Sequence, residues 1–446
     1  MTQSRTANPA FIEQVDIISN KPPRNTVSIL GGIISFVYYE SMLSDSLRAT
    51  ITFADTGAVE NEKTNNTSVV EGLPIVGQEK VQIKFKDNND NKIGDKPELI
   101  LYVNSVKVID NDTTRSLIQL DLVSREFILN EKTRITKRYD GKLSETVKKL
   151  LEDKNSIGLE TEKDLFIEDT SNNFNFIGNN KKPFYVINWL ARKSVSSTSQ
   201  RLGKSAGYFF YERSDGYYFK SVDSLFSQEK KKSFIYTETT GVPKGYDANV
   251  LSFKKGNLID AQKKLQIGAY STRTILFDPF TTYYEVITPN AENNEDDLKL
   301  AGNNLPVLNP EFNQPGANKE FSRTTYYLLD KGTLASGDNE QQLEKKNEEN
   351  FEYSQILNQS IMRLNQFFSS QATITIAGDF SLHIGDAIYL DLPKLGVDRG
   401  KELDKQDSGL YIIAELTHLV DTNGTFTRLN LVRDSFGKTG KANSEG

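Results

Sequence analysis

Strict alternation of apolar and polar residues is the dominant pattern of this chain, and it predicts antiparallel strands with one buried face. The stretch "GLYIIAELTHLVDTNGTFTRLNLVRDSF", Gly409 to Phe436, predicts two strands joined by a turn at Asn423-Gly424. An earlier stretch, "ELILYVNSVKVIDNDTTRSLIQLDLVSREF", Glu98 to Phe127, carries the same pattern. Leu99, Leu101 and Val103 match Leu410, Ile412 and Ala414 at an offset of 311, and Asp110 matches Asp421. After the turn Leu120, Leu122, Val123 and Phe127 match Leu429, Leu431, Val432 and Phe436 at an offset of 309. The first turn is therefore two residues longer, which is where length changes are tolerated best. Upstream, Val81, Ile83 and Phe85 match Ile388, Leu390 and Leu392, each set following a glycine. Three strands in the same order point to an internal duplication.

The pattern changes along the chain and predicts a domain order. Residues 1–130 hold five to seven strands, a small antiparallel barrel or sandwich that includes "NTVSILGGIISFVYYES" and "SLRATITFADT" bridged by "MLSD". Residues 131–245 form an α+β insert. In it "SETVKKLLEDK" predicts a helix capped by Ser144, "PFYVINWLARKSVSS" a helix starting near Pro183, and "AGYFFYERSDGYYFKSV" an aromatic hairpin about Asp215-Gly216. Residues 246–288 and 344–438 form a second barrel, with a helix ended by Gly268, the strand "TRTILFDP", and a helix with Phe351, Leu357, Ile361, Leu364 and Phe368 on one stripe. Between them 289–343 is an insertion rich in Asn, Pro and Gly, and 439–446 is expected to be a flexible C-terminal tail.

Composition narrows the function. A chain of 446 residues has room for two to four domains, and 37% hydrophobic with 26% charged residues describes a soluble globular protein. The longest apolar run, Val27 to Tyr39, is too short to span a bilayer as a helix, and "MTQSRTANPAF" lacks a secretory core, so folding in a cytoplasm is expected. There is no cysteine, which excludes disulfides and thiolate metal sites. A net charge of −6 argues against a protein that neutralises many phosphates.

Candidate chemistry is thin. The two histidines, His383 and His418, lie in strand patterns; their counterparts in the first copy are Pro74 or Ile75, and Lys107, so a structural or solvent-facing place, and not a catalytic one, is expected for both. "RLGKSAG", Arg201 to Gly207, ends like a phosphate loop but has Thr198 where the first glycine belongs, and reads as a turn. "DNNDNKIGDKPE", Asp87 to Glu98, has calcium-loop spacing but Lys92 at the glycine position, and reads as a polar hairpin loop. No residue is singled out as catalytic, metal-binding or cofactor-binding, and the chain is not expected to be an enzyme.

Several segments, in order, carry a family likeness. "LPIVGQEKVQIKF", "LYVNSVKVIDNDTTRSLIQLDLVSREF", "GYFFYERSDGYYFKSVDSL", "IGAYSTRTILFDPFTTYYE" and "AGDFSLHIGDAIYLDLP" with "GLYIIAELTHLVD" together resemble the central baseplate hub protein of T-even-like contractile-tailed bacteriophages (myoviruses). That family is related to the N-terminal half of type VI secretion spike (VgrG-like) proteins. The resemblance implies a β-rich α+β multidomain fold with two similar tail-tube-type antiparallel β-barrels in one chain. It implies a homotrimer forming a pseudo-sixfold ring that adapts a threefold cell-puncturing spike to a sixfold tail tube and lines the DNA exit channel. The implied partners are the chain itself, a trimeric spike or tail-lysozyme protein, the tail-tube initiator or first tube ring, and the tape-measure C-terminus. DNA would only pass through during genome ejection, without sequence-specific binding, and no membrane insertion is implied. The implied location is the virion baseplate, with assembly in the host cytoplasm. A multidomain carbohydrate- or receptor-binding protein is the alternative, since aromatic residues make up 10% of the chain, and a carboxylate-based cell-wall glycosidase is third.

Overall fold

The computed structural model describes residues 11–437 apart from 23, 58–67, 74, 95–96, 155–157, 198–205, 238–240, 257–259, 271, 279–281, 288–297, 307–308, 313–321, 329–337, 341–352, 395–401 and 423. The C-terminal tail and much of the 289–343 insertion lie outside the described residues. The fold is β-rich with few helices. The N-terminal part contributes β1 (Phe11–Ile18), β2 (Thr26–Ser28), β3 (Ile33–Ser41), β4 (Arg48–Asp55), β5 (Lys80–Lys86), β6 (Lys92–Ile93), β7 (Leu99–Asn111) and β8 (Ser116–Val123). The middle contributes β9 (Arg138–Tyr139), β10 (Asp164–Ile167), β11 (Phe176–Ile177), β12 (Tyr208–Arg213) and β13 (Gly216–Ser221). Next come β14 (Lys232–Ile235), β15 (Ala248–Asn249), β16 (Ser252–Lys255), β17 (Thr272–Asp278), β18 (Tyr283–Ile287) and β19 (Arg323–Leu328). The chain closes with β20 (Ser370–Ala377), β21 (Ala387–Asp391), β22 (Gly409–Asp421) and β23 (Gly424–Arg433).

Fifteen of these strands form one continuous sheet, and its order shows the duplication directly. The first set runs β3-β4-β8-β7-β5-β1-β2, and the second runs β16-β20-β23-β22-β21-β14-β15. Only the flank differs in sense: β1 lies antiparallel to β5, whereas β14 lies parallel to β21. Each strand sends alternate side chains into the core, for example Val81, Ile83 and Phe85 from β5 and Ala372, Ile374 and Ile376 from β20. At about 1.5–3 kcal/mol per fully buried large apolar side chain, this face is what holds register. One apolar core runs through both sets, and a second lies in the middle region.

The strand pairings correct the sequence alignment of the hairpins. Leu101 lies opposite Val81, and Tyr411 opposite Ile388, so Leu101 is equivalent to Tyr411 at an offset of 310 and not to Ile412. A bulge after Val103 in β7 has its equal after Ile413 in β22. Tyr411 to Ala414 of β22 are all buried, so the apolar pattern there fits two registers one residue apart. His418 is thus equivalent to Val108, and not to Lys107.

In the middle region the helix Leu143–Glu152 buries Val147, Leu150 and Leu151. Its N-cap is Lys142 and not Ser144, whose backbone N–H donates to Thr170 Oγ1 at 3.0 Å. The helix Pro183–Ala191 begins at its proline. The aromatic hairpin is β12–β13, and β10 runs parallel to β13. Gly216, at φ +156°, brings its backbone so near β10 that a Cβ would sit 2.2 Å from the Asp164 carbonyl oxygen. The strand in "TRTILFDP", β17, joins neither repeat: it pairs with β18 and, in parallel, with β19 from within 289–343.

Candidate assembly site at the junction of the repeats

The two sets meet where β22 pairs antiparallel with β3, Glu415 to Asp421 lying opposite Ser41 to Ser35. This makes β22 a bridging strand: its first residues pair with β21, the rest with β3, and β23 lies along its other side. The alternating face of β22 here is Leu416, His418 and Val420, and that of β3 is Phe36, Tyr38 and Glu40; all six are buried.

Glu40 is the polar centre of the junction. Its Oε1 accepts from Tyr38 Oη at 2.6 Å and from the Ser214 backbone N–H at 3.2 Å, and lies 3.0 Å from His383 Nδ1. Its Oε2 accepts from the Ile384 N–H at 3.1 Å. One carboxylate therefore ties β3 to the loop before β21 and to the β12–β13 hairpin of the middle region. Burial opposes its ionisation, but the His383 imidazole, the Tyr38 hydroxyl and the Arg213 guanidinium outweigh burial and hold the carboxyl down at about 2. Beside it Asp386 receives Arg213 at 3.1 Å and Lys231 at 2.7 Å.

His418 is wholly buried, with Nδ1 2.9 Å from Thr427 Oγ1 and its ring stacked on Tyr38 and edge-on to Phe380. Burial pushes the imidazole down to about 3, so it is neutral in the fold. Both histidines have the structural setting expected of them: His383 holds Glu40, and His418 packs the interface.

Two further ties were hidden in the sequence. Glu212, buried in β12, accepts from the Leu47 N–H at 2.9 Å and pairs with Lys163, which also reaches Glu126 at 3.2 Å. Asp87, first residue of the stretch with calcium-loop spacing, spends its carboxylate on protein donors: Oδ1 accepts from the N–H groups of Asn89 and Asn91, each at 2.9 Å. Its Oδ2 accepts from the Phe380 N–H at 2.9 Å, which links the first repeat to the second. Most of the Arg201–Gly207 turn lies outside the described residues. Among the described residues no group of three or more acidic, histidine or cysteine side chains is placed to hold a metal, and no helix is long and apolar enough to cross a membrane.

The readable signal for Glu40 and His418 was a polar residue standing at an interior position of an alternating strand. The signal for the full extent of the repeat was plainer. "ATITFA" at 49–54 and "ATITIA" at 372–377 differ at one position and occupy equivalent places in β4 and β20.

No protein-family model and no curated protein sequence matches the chain. Solved structures do. The tail protein from Neisseria meningitidis MC58 matches over 94% of this chain and 96% of its own, at 9% identity and a TM-score of 0.53. The 43 kDa tail protein of prophage MuSo2 from Shewanella oneidensis matches over 95% of this chain and 98% of its own, at 10% identity and a TM-score of 0.50. At such identity the likeness is one of fold. It extends over nearly the whole length of all three chains, in line with the resemblance carried by the sequence segments.

Proposed function

We propose that the chain is a structural baseplate hub protein of a contractile tail, and not an enzyme. The observation that carries this reading is the strand order repeated twice in one chain, with the two copies joined edge to edge through β22 and β3. In this reading each copy is a small tube-type barrel, the first made of β1–β8 within residues 1–130 and the second of β14–β16 with β20–β23, and the rest of the middle region 131–245 braces the joint between them. Three chains then place six similar barrels around one axis, because a cyclic assembly repeats a single heterologous contact until it closes. Such a ring offers threefold symmetry to a spike on one side and near-sixfold symmetry to a tail tube on the other. DNA passes through its centre without being read. Its partners are its own copies, the spike, the first tube ring and the tape-measure C-terminus, and its place is the virion baseplate.

Native mass spectrometry and negative-stain imaging of the purified chain, alone and with a co-expressed spike protein, test the reading. A three-copy ring with a central channel is the expected result. A monomer in both preparations would overturn it.

A further inference from the structure

Three parts of the chain meet around a cavity of about 420 Å³. It is lined by the turn between β3 and β4, by the helix Pro183–Ala191 with β12, and by the end of the helix Tyr353–Gln366 with the residues that follow it. These belong to the first repeat, the middle region and the approach to the second repeat. Much of the wall is apolar: Met42, Ala191 and Phe209 are buried, and Leu364 and Phe368 are half-buried. Leu43 stands at the lip, 65% exposed.

The charges around this cavity are unbalanced. Asn188 and Arg192 line it one helical turn apart, a spacing that sets side chains about 5–6 Å from each other. Asn188 donates from Nδ2 to Asp45 Oδ1 at 2.6 Å, so the one acid of the lining among the described residues is already engaged. Arg192 is exposed and pairs with no carboxylate among the described residues. Further cations stand behind Asn365, another residue of the wall. Lys264 Nζ lies 3.0 Å from the Asn365 carbonyl oxygen, and Arg323 Nη1 donates at 3.0 Å to the Ile267 carbonyl that the Asn365 side chain also binds.

We propose that the cavity docks a segment of a partner protein in which a large apolar residue is followed by an acidic one. The apolar side chain enters between Phe209, Leu364 and Phe368, and the carboxylate pairs with Arg192, whose planar fork can take both oxygens. The size agrees: ligand sites span about 300–1,000 Å³, and one at the small end suits a single aromatic side chain with its adjoining backbone. An apolar anchor in a pocket beside a paired charge concentrates binding energy in a small contact. The occupant touches all three parts of the chain at once, so its binding stabilises their joint.

Three blocked dipeptides serve as probes of the full-length chain: N-acetyl-Phe-Asp-amide, N-acetyl-Phe-Asn-amide and N-acetyl-Phe-Lys-amide. In titrations followed by ligand-observed NMR and by thermal shift, the acidic probe is expected to bind about tenfold more tightly than the other two. Arg192→Ala is expected to bring the acidic probe down to the level of the neutral one, and Arg192→Glu to reverse the preference in favour of the lysine probe. Leu43→Glu, which sets a carboxylate of the chain's own at the lip, is expected to weaken the acidic probe about tenfold. Leu43 and Arg192 are exposed, so these variants keep the buried contacts of the fold. Equal binding of the three probes, tighter binding of the lysine probe to the unmodified chain, or acidic-probe binding unchanged by Arg192→Ala would overturn the proposal. So would the absence of saturable binding by any probe up to about 10 mM. The cavity lies within one chain, so none of these outcomes turns on whether copies assemble into a ring.

Discussion

The β7–β8 and β22–β23 hairpins share strand order, an equivalent bulge and the same core partners, yet they live in different surroundings. In the second, Leu416, His418 and Val420 are buried and β22 is paired edge to edge with β3; in the first, the equivalent half of β7 has only β8 beside it among the described residues. The difference teaches that a strand's burial is not a property of the strand. β7 carries apolar residues, Val106 and Val108, on an alternating pattern, yet Val106 is only half-buried and Val108 is exposed. Where the cover is present, the positions have specialised: a stacked histidine and a buried carboxylate replace simple apolar contacts.

Removing the centre of the covered junction should break the comparison most severely. Glu40→Ala leaves two backbone N–H groups and His383 without their acceptor, and should cost about 3–5 kcal/mol of stability in chemical denaturation. Truncating equivalent core positions sharpens the contrast next. Leu416→Ala should cost about 2–5 kcal/mol, whereas Val106→Ala, only partly buried, should cost about 1 kcal/mol or less in the isolated chain. If Val106→Ala proves as costly as Leu416→Ala in a monomer, the asymmetry between the hairpins is not real.

Acid should act on the covered junction through two buried groups. His418 is held at about 3 against an ordinary value of 6.5, so between these pH values the unfolded chain binds a proton that the folded chain refuses. Stability therefore falls as pH drops from about 6.5 towards 3, by a few kcal/mol in all. Glu40, lowered from 4.5 to about 2, adds stability that is complete above 4.5 and lost as pH falls towards 2. His418→Val, which installs the residue found in the first repeat, should flatten the upper part of this acid limb and leave the lower part. An unchanged slope between pH 6.5 and 4.5 would contradict the buried neutral histidine. The smallest effect is expected on the open hairpin, where Lys107→Ala removes an exposed pair with Asp121 and should change stability by less than about 0.5 kcal/mol.

Much of this was legible along the chain. Alternation located the strands of both hairpins, Pro183 marked a helix start, and Gly268, with φ +78°, ended the helix before β17. What alternation misplaced was register. Tyr411 to Ala414 of β22 are buried on both faces, so alternation there does not tell one register from the next, and Leu99 is equivalent to Gly409 and not to Leu410. Nearness in sequence places β17 with the second repeat, whereas its partners are β18 and β19.

The sequence by itself determined the strands, their duplication and the polar residues set into apolar registers, because alternation and turn residues act over a few neighbouring positions. Only the tertiary structure decided that β3 pairs with β22, since Tyr39 Oη meets Glu415 across 376 residues through backbone edges that any strand presents alike. Main-chain hydrogen bonds do not depend on side-chain identity. Which edge is covered and which stays open therefore depends on how the strands are arranged in space, and not on the pattern written in each.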